Sequence, residues 1–178
     1  MQFPREKAGR TTQMQATPKI SAICKEIATL LQQLNLTLTT AESATGGRIA
    51  DWLTNIPGSS DFFLGSIVAY DNQVKTLLLN VPPSTILSFG AVSRDTAIAM
   101  SKGVRALLDS DISISTTGIA GPTGGTPAKP IGLLYTAVSS KKQTTCKKFI
   151  LPGTRLANKK AFALASLSLL KKHLLEML

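Results

Sequence analysis

The sequence predicts an α/β fold with helices on both faces of a mixed sheet. Three observations carry that expectation. β-type runs alternate with helical patterns along the chain, as in proteins that bury a sheet between helices. Two of the strand-to-strand connections are long enough to cross over through a helix. The last two β-type runs flank a polar turn at Lys141-Lys142 as a hairpin, so at least one strand runs antiparallel. At 178 residues the simplest organisation is one domain, large enough to bury roughly two-thirds of the surface its unfolded chain exposes.

The elements follow in order. Ile20, Ile23, Ile27, Leu30, Leu31 and Leu34 recur at helical spacing, so 18–34 is an amphipathic helix with Pro18 in its first turn. A strand at 36–42 leads into the turn Ser43-Ala44-Thr45-Gly46-Gly47 and a helix over 45–56. Pro57-Gly58-Ser59-Ser60 ends that helix. The mostly apolar run FFLGSIVAY at 62–70 reads as a buried strand. A short helix begins at Asp71 and ends near Leu79, where Pro82-Pro83 intervenes, and 84–88 is a further helical piece.

Ser93 is a suitable N-cap for an amphipathic helix over 94–108, with Ala97, Met100, Val104, Leu107 and Leu108 on one side. DISISTTG, 111–118, alternates Ile with polar residues and is a strand. The loop 118–132 holds five glycines and three prolines, a composition that lets backbone approach a ligand closely. Strands at 132–139 and 144–151 form the hairpin, and 154–177 is a long helix with Leu164, Leu167, Leu170 and Leu174 inward.

Composition narrows the function classes. The chain is 43% apolar with a mean hydropathy of +0.15, and its apolar runs are too short for a membrane span. Residues 1–16 read as a flexible basic tail and lack the apolar stretch of a secretory signal. Cys24 and Cys146 are far apart with no CxxC spacing, which predicts free thiols in a reducing cytoplasm and no zinc site. The single histidine, His173, lies in the last turns of the C-terminal helix, which makes a Ser-His-Asp triad a poor fit. The net charge of +10 is uneven: residues 1–111 hold ten Lys/Arg and nine Asp/Glu, residues 112–178 ten Lys/Arg and only Glu176. A positive field there would draw phosphorylated small molecules, nucleic acid or an acidic partner. A solvated basic face is the commonest source of such a balance. The sparse aromatics of that third (Tyr135, Phe149, Phe162) offer no base-stacking platform and disfavour nucleic acid.

Sites in α/β sheets gather beyond the C-terminal ends of parallel strands. Three such ends are polar here: Glu42 to Gly47, Tyr70 to Lys75, and Thr116-Thr117-Gly118 with its glycine loop. A strand stopping at Ser43, with glycines opening a helix, can aim a hydroxyl or hold an anion on unpaired N–H groups. As a nucleophile Ser43 needs a base, and Lys75, one helical turn past a strand end, is the available one. Tyr70 could relay the proton or hold Lys75 neutral, and the N–H groups of Thr45-Gly46-Gly47 could hold an oxyanion. The competing readings are plain ones: a turn serine, a solvated lysine, and a glycine loop that is neither a Walker sequence nor a GxGxxG fingerprint. The residues alone therefore reach a small α/β domain with an anion-friendly site.

The motifs TTAESATGG (39–47), PGSSDFFLGSIVAYDNQVK (57–75), GAVS (90–93), TGIAGPTGGTPAKPIG (117–132) and PGTR (152–155) go further. In this order and separation they resemble the CinA C-terminal domain family, which includes nicotinamide-mononucleotide amidohydrolases. The resemblance covers residues 18–178. It implies a single three-layer α/β/α sandwich with a mixed, mostly parallel sheet. It also implies hydrolysis of the carboxamide of nicotinamide mononucleotide to nicotinate mononucleotide and ammonia, in pyridine nucleotide salvage, with no cofactor and no metal. Ser43 would be the nucleophile with Lys75 and Tyr70 as partners; Thr45, Gly46, Gly47, Asn72, Thr117, Gly118 and Arg155 would bind substrate. The substrate phosphate would meet Arg155, Lys159 or a helix N-terminus. Families of this kind often assemble as homo-oligomers. CinA proteins commonly carry a separate N-terminal domain related to molybdopterin-cofactor binders; the stand-alone domain is the form associated with the amidohydrolase.

Four positions depart from the family's usual pattern. Ala44 stands where Cys is frequent, and Asp71-Asn72-Gln73 where Ser-Asn-Glu is frequent. Ala128 replaces Glu, and Gly153-Thr154-Arg155-Leu156 replaces Gly-Asp-Arg-Glu. These bear on substrate preference and rate, and they motivate the rival reading of a catalytically idle nucleotide-binding or competence-linked regulatory domain.

Overall fold

The computed structural model describes residues 18–178; the tail expected at 1–16 lies outside them. The elements are α1 (Pro18–Gln33), β1 (Leu38–Glu42), α2 (Arg48–Thr54), a 3₁₀ turn (Ser59–Asp61), β2 (Phe63–Val68), α3 (Asn72–Leu79), α4 (Pro83–Phe89), α5 (Arg94–Leu107), β3 (Ile112–Gly118), β4 (Leu133–Ser140), β5 (Thr144–Ile150) and α6 (Arg155–Leu175). The strands form one sheet in the order β2-β1-β3-β4-β5. β1 pairs parallel with β2 and β3, while β4 runs antiparallel to both β3 and β5. Four strands thus share one direction and β4 opposes them, giving the mixed α/β sheet expected.

The helices fall into two layers. α6 packs on β3 and β4 and is joined by α1 and α2. Their shared core includes Ile27, Leu31, Leu38, Leu53, Leu167 and Leu170. On the other face α5 crosses β1, β3, β4 and β5, with α3 and α4 leaning on it; Leu79, Val81, Met100 and Val104 fill that side. Gly103 makes the α3–α5 contact possible, because a Cβ there would sit 1.8 Å from the Leu79 carbonyl oxygen.

β3, whose Ile residues alternate with polar ones, is buried on both faces. Three of its polar side chains bond on the α5 side: Ser113 Oγ donates to the Ser101 carbonyl (2.7 Å) and Ser115 Oγ to Ala97 (2.6 Å), both on α5, and Thr117 Oγ1 donates to Ala91 (2.7 Å) in the segment before it. Buried hydroxyls are tolerated when paired in this way. They also fix the GAVS segment over the end of β3.

Two expectations are corrected. The run at 62–70 is not a buried strand: β2 is the sheet edge, and Leu64 and Val68 are exposed. A short apolar run carries no periodicity that separates edge from centre. The helix expected from 45 begins at Arg48, because Gly46 and Gly47 take φ of 62° and 87°, outside the helical region.

Candidate active site

β1, β2 and β3 are parallel neighbours, so the segments that leave their C-terminal ends meet. Glu42 is level with Val68 and Thr116, and the Ser43 N–H still donates to the Thr116 carbonyl at 3.0 Å. The ladder therefore fixes Ser43 as the first residue beyond the sheet. A cavity of about 200 Å³ opens there, lined by Ser43, Ala44, Tyr70, Asn72, Lys75, Ala91, Val92, Thr117, Gly118, Ala120 and Arg155. Seven residues expected from sequence thus share one cavity: Ser43, Tyr70, Asn72, Lys75, Thr117, Gly118 and Arg155. Thr45, Gly46 and Gly47 do not line it.

Lys75 is the unusual member. It is only 1% exposed, and burial lowers its pKa from the ordinary lysine value, with the Asp71 carboxylate opposing that shift. Its Nζ donates to the Tyr70 carbonyl at 2.9 Å and to the Asp71 carbonyl at 3.4 Å. Among the described residues it makes no direct hydrogen bond to Ser43. Val81 N–H bonds back to the Lys75 carbonyl at 3.1 Å, and Asp71 Oδ1 caps α3 by accepting from Gln73 N–H at 2.7 Å. The helix carrying the lysine is therefore fixed at both ends.

The Tyr70 phenol has a different partner from the one its position suggested. The side chain is 62% exposed, and its hydroxyl accepts from Arg155 Nη2 at 2.9 Å. Arg155 Nη1 donates to the Gly121 carbonyl at 2.7 Å. The guanidinium thus ties the glycine loop to the β2–α3 connection at the cavity rim. Thr154 caps α6 directly before it, accepting from Ala157 N–H at 3.4 Å. Two of the sequence departures, Asp71 and Thr154, are thus residues that cap helices.

The turn after Ser43 is shaped by a residue whose role the sequence reading missed. Glu42 is fully buried, and its carboxylate accepts from Ile49 N–H (3.1 Å) and Ala50 N–H (2.8 Å). The start of α2 is therefore filled by the chain's own anion, which satisfies N–H groups a bound anion would otherwise take. Thr45 is buried and shares a hydrogen bond of 2.7 Å with Thr116, and Gly46 lies beside Lys159 Nζ. These residues shape the bend. Among the described residues, the Ala44 and Thr45 N–H groups donate no hydrogen bond. A charged residue ending an otherwise uncharged strand, six positions before a helix, was the signal for Glu42.

On the far rim, Lys129 Nζ donates to the Phe89 carbonyl at 2.7 Å. Ser93 Oγ and Thr96 Oγ1 both donate to the Gly90 carbonyl, at 2.9 Å and 2.8 Å. Gly118 can carry no side chain, since a Cβ would approach the Leu133 carbonyl oxygen to 2.5 Å. Among the described residues no group of three or more His, Cys, Asp or Glu is placed to hold a metal ion. No helix there is long and apolar enough to cross a membrane.

Known proteins resemble this chain in sequence and fold. A CinA-like protein of Endomicrobium trichonymphae is 47% identical over 146 residues, 82% of this chain and 34% of the relative. A CinA-like protein of Koribacter versatilis is 49% identical over 125 residues, 70% of this chain and 30% of the relative. The chain thus spans about a third of the length of these curated relatives. The crystal structure of the competence/damage inducible protein CihA from Agrobacterium tumefaciens superposes with a TM-score of 0.86 at 35% identity, covering 90% of this chain and 99% of that one. The family model for the CinA C-terminal domain matches residues 20–174, and the chain belongs to that family.

Proposed function

We propose that the chain hydrolyses the carboxamide of nicotinamide mononucleotide, releasing ammonia and nicotinate mononucleotide. The observation that carries this reading is a buried lysine with a lowered pKa sharing a small cavity with a strand-end serine. A neutral amine has two N–H bonds and one lone pair. The Tyr70 and Asp71 carbonyls accept two N–H bonds, which leaves the lone pair as the remaining direction for a proton. Ser43 Oγ attacks the carboxamide carbon as its proton passes to Lys75. The tetrahedral oxyanion is taken by the free N–H group of Ala44, which lines the cavity and directly follows the nucleophile. The C–N bond then breaks as Lys75 returns the proton to the leaving nitrogen, and ammonia departs. Water repeats the sequence on the acyl-enzyme, with Lys75 again as base, and frees Ser43.

The cavity, about 200 Å³, is smaller than the ~300–1,000 Å³ of sites that enclose a whole drug-sized ligand. It suits the nicotinamide end, with ribose phosphate outside near Arg155 on the rim. The missing Ser43–Lys75 hydrogen bond favours one rival, nucleotide binding without turnover, although catalytic contacts are often loose before substrate binds. Ammonia release from nicotinamide mononucleotide distinguishes the two. Turnover by the wild type and a loss of at least about 10³-fold in Ser43→Ala are expected. Wild-type turnover in Ser43→Ala overturns the mechanism, and calorimetric binding without any product supports the rival.

A further inference from the structure

A second concave site lies at the opposite end of the sheet. The face of α5 bearing Ile98, Lys102, Arg105 and Ala106 stands against the β4–β5 turn, Ser139 to Thr144, and the groove between them measures about 690 Å³. Ile112, which starts β3, pairs with Ser140, which ends β4. The groove is thus one strand length from Ser43, roughly 20 Å.

Its lining is cationic and hydroxylic. Lys102, Arg105, Lys141 and Lys142 contribute four positive charges, and no acidic side chain lines it. Among the described residues, none of the four is in a salt bridge. Arg105 Nε is buried without any hydrogen-bond partner, an arrangement that costs stability unless something pairs with it. Asp111 lies close enough for Arg105 and Lys141 to act on its carboxyl. That carboxylate is already engaged by the Thr37 N–H at 3.0 Å and hydroxyl at 2.8 Å. Ser139 and Thr144 place a hydroxyl pair, 2.9 Å apart, on the groove wall.

We propose that this groove is a second ligand site, for a small phosphate-rich anion. An arginine fork and three lysines match phosphate oxygens, and four charges call for a polyphosphate rather than one carboxylate. The volume falls within the range of small-molecule sites. Ile98 and Ala106 are too little apolar surface for a lipid chain, and no aromatic side chain lines the groove to stack a base. The proposal uses the charge excess of the C-terminal third, Lys141 and Lys142 above all, which the cavity at Ser43 leaves unemployed.

Titration of the full chain with inorganic tripolyphosphate by calorimetry, at about 0.05 M salt where screening is weak, tests the site. One equivalent should bind to the wild type. Affinity should fall by about tenfold or more in Lys141→Gln/Lys142→Gln, which alters only exposed turn residues. Arg105→Gln should weaken binding likewise, while Arg155→Gln, at the other end, should retain it. No binding to the wild type, equal binding to Lys141→Gln/Lys142→Gln, or loss confined to Arg155→Gln overturns the proposal. So does tighter binding of a 20-nucleotide single-stranded DNA that tripolyphosphate fails to displace, which would make the groove a nucleic-acid surface.

Discussion

The two ends of the sheet use lysine in opposite ways. Beyond the C-terminal ends of β1 to β3, one lysine is enclosed, with Lys75 only 1% exposed and its charge disfavoured by burial. At the other end Lys102, Lys141 and Lys142 stand in solvent around an open groove beside Arg105. Enclosure makes an ammonium easy to deprotonate, which suits a base. Several cations gathered around one groove in water raise the local positive potential, which suits holding an anion. Counting basic residues therefore says little about either end; what separates them is how much protein surrounds each nitrogen.

The largest expected effect breaks the enclosed end. Lys75→Met should lower amide hydrolysis by at least about 10³-fold, read as ammonia release. Stability should move the other way. A lysine whose folded pKa lies below its unfolded value binds fewer protons when folded, so wild-type stability rises with pH across that window. The penalty of burying the charged form is complete below the lowered pKa and fades toward the ordinary value of 10.5. Methionine removes the penalty while keeping the apolar stem, so Tm at pH 7 should rise by about 2–4 °C, as for a gain of about 1 kcal/mol. A fall of several degrees instead would make Lys75 a structural residue.

Next in size is Gly103→Ala, which drives a methyl into the Leu79 carbonyl at the end of the helix that carries Lys75. Overpacking of this kind costs about 3 kcal/mol, a Tm lower by roughly 6–12 °C for a domain of this size. Thermal unfolding followed by circular dichroism reads it, and an unchanged Tm would mean that α3 is free to shift. Tyr70→Phe should be milder. It removes the hydroxyl that Arg155 holds while leaving the carbonyl on Lys75. We expect KM for nicotinamide mononucleotide to rise about threefold with kcat nearly unchanged. A hundredfold fall in kcat would instead give the phenol a proton-transfer role.

The contrast also explains what was legible in the sequence. Fold and element order could be read because periodicity and glycine or proline breaks report local geometry. Ser43, Lys75 and Thr117 could be read as convergent because parallel strands bring their ends together. The partners of those residues could not. Tyr70 offers Lys75 its carbonyl, not its phenol, and every residue has a carbonyl, so no side-chain pattern reports that bond. Glu42 reaches past the glycine turn to cap α2, and the hydroxyls of β3 look solvent-facing until α5 is laid over them. The edge position of β2 depends on the absence of a second neighbour, which a single strand's sequence does not encode. The basic groove joins α5 to a hairpin more than 30 residues later, so its four charges looked dispersed.

The smallest expected effect is the most exacting test of how the two ends differ. Asp71 does two things: it caps α3 through Gln73 N–H, and its carboxylate raises the pKa that burial of Lys75 lowers. Serine is an equally good cap and carries no charge. Asp71→Ser should therefore preserve α3 while letting Lys75 lose its proton more easily. If neutral Lys75 is the base, activity rises with pH through its pKa, so the midpoint of that rise should move to lower pH. Since the carboxylate acts at close range on a buried group, raising salt from about 0.05 M to 0.5 M should leave most of the shift intact. The same change should weaken tripolyphosphate binding in the open groove severalfold. A midpoint that moves upward, or a shift that salt abolishes, would mean that Lys75 does not govern the profile as an enclosed base.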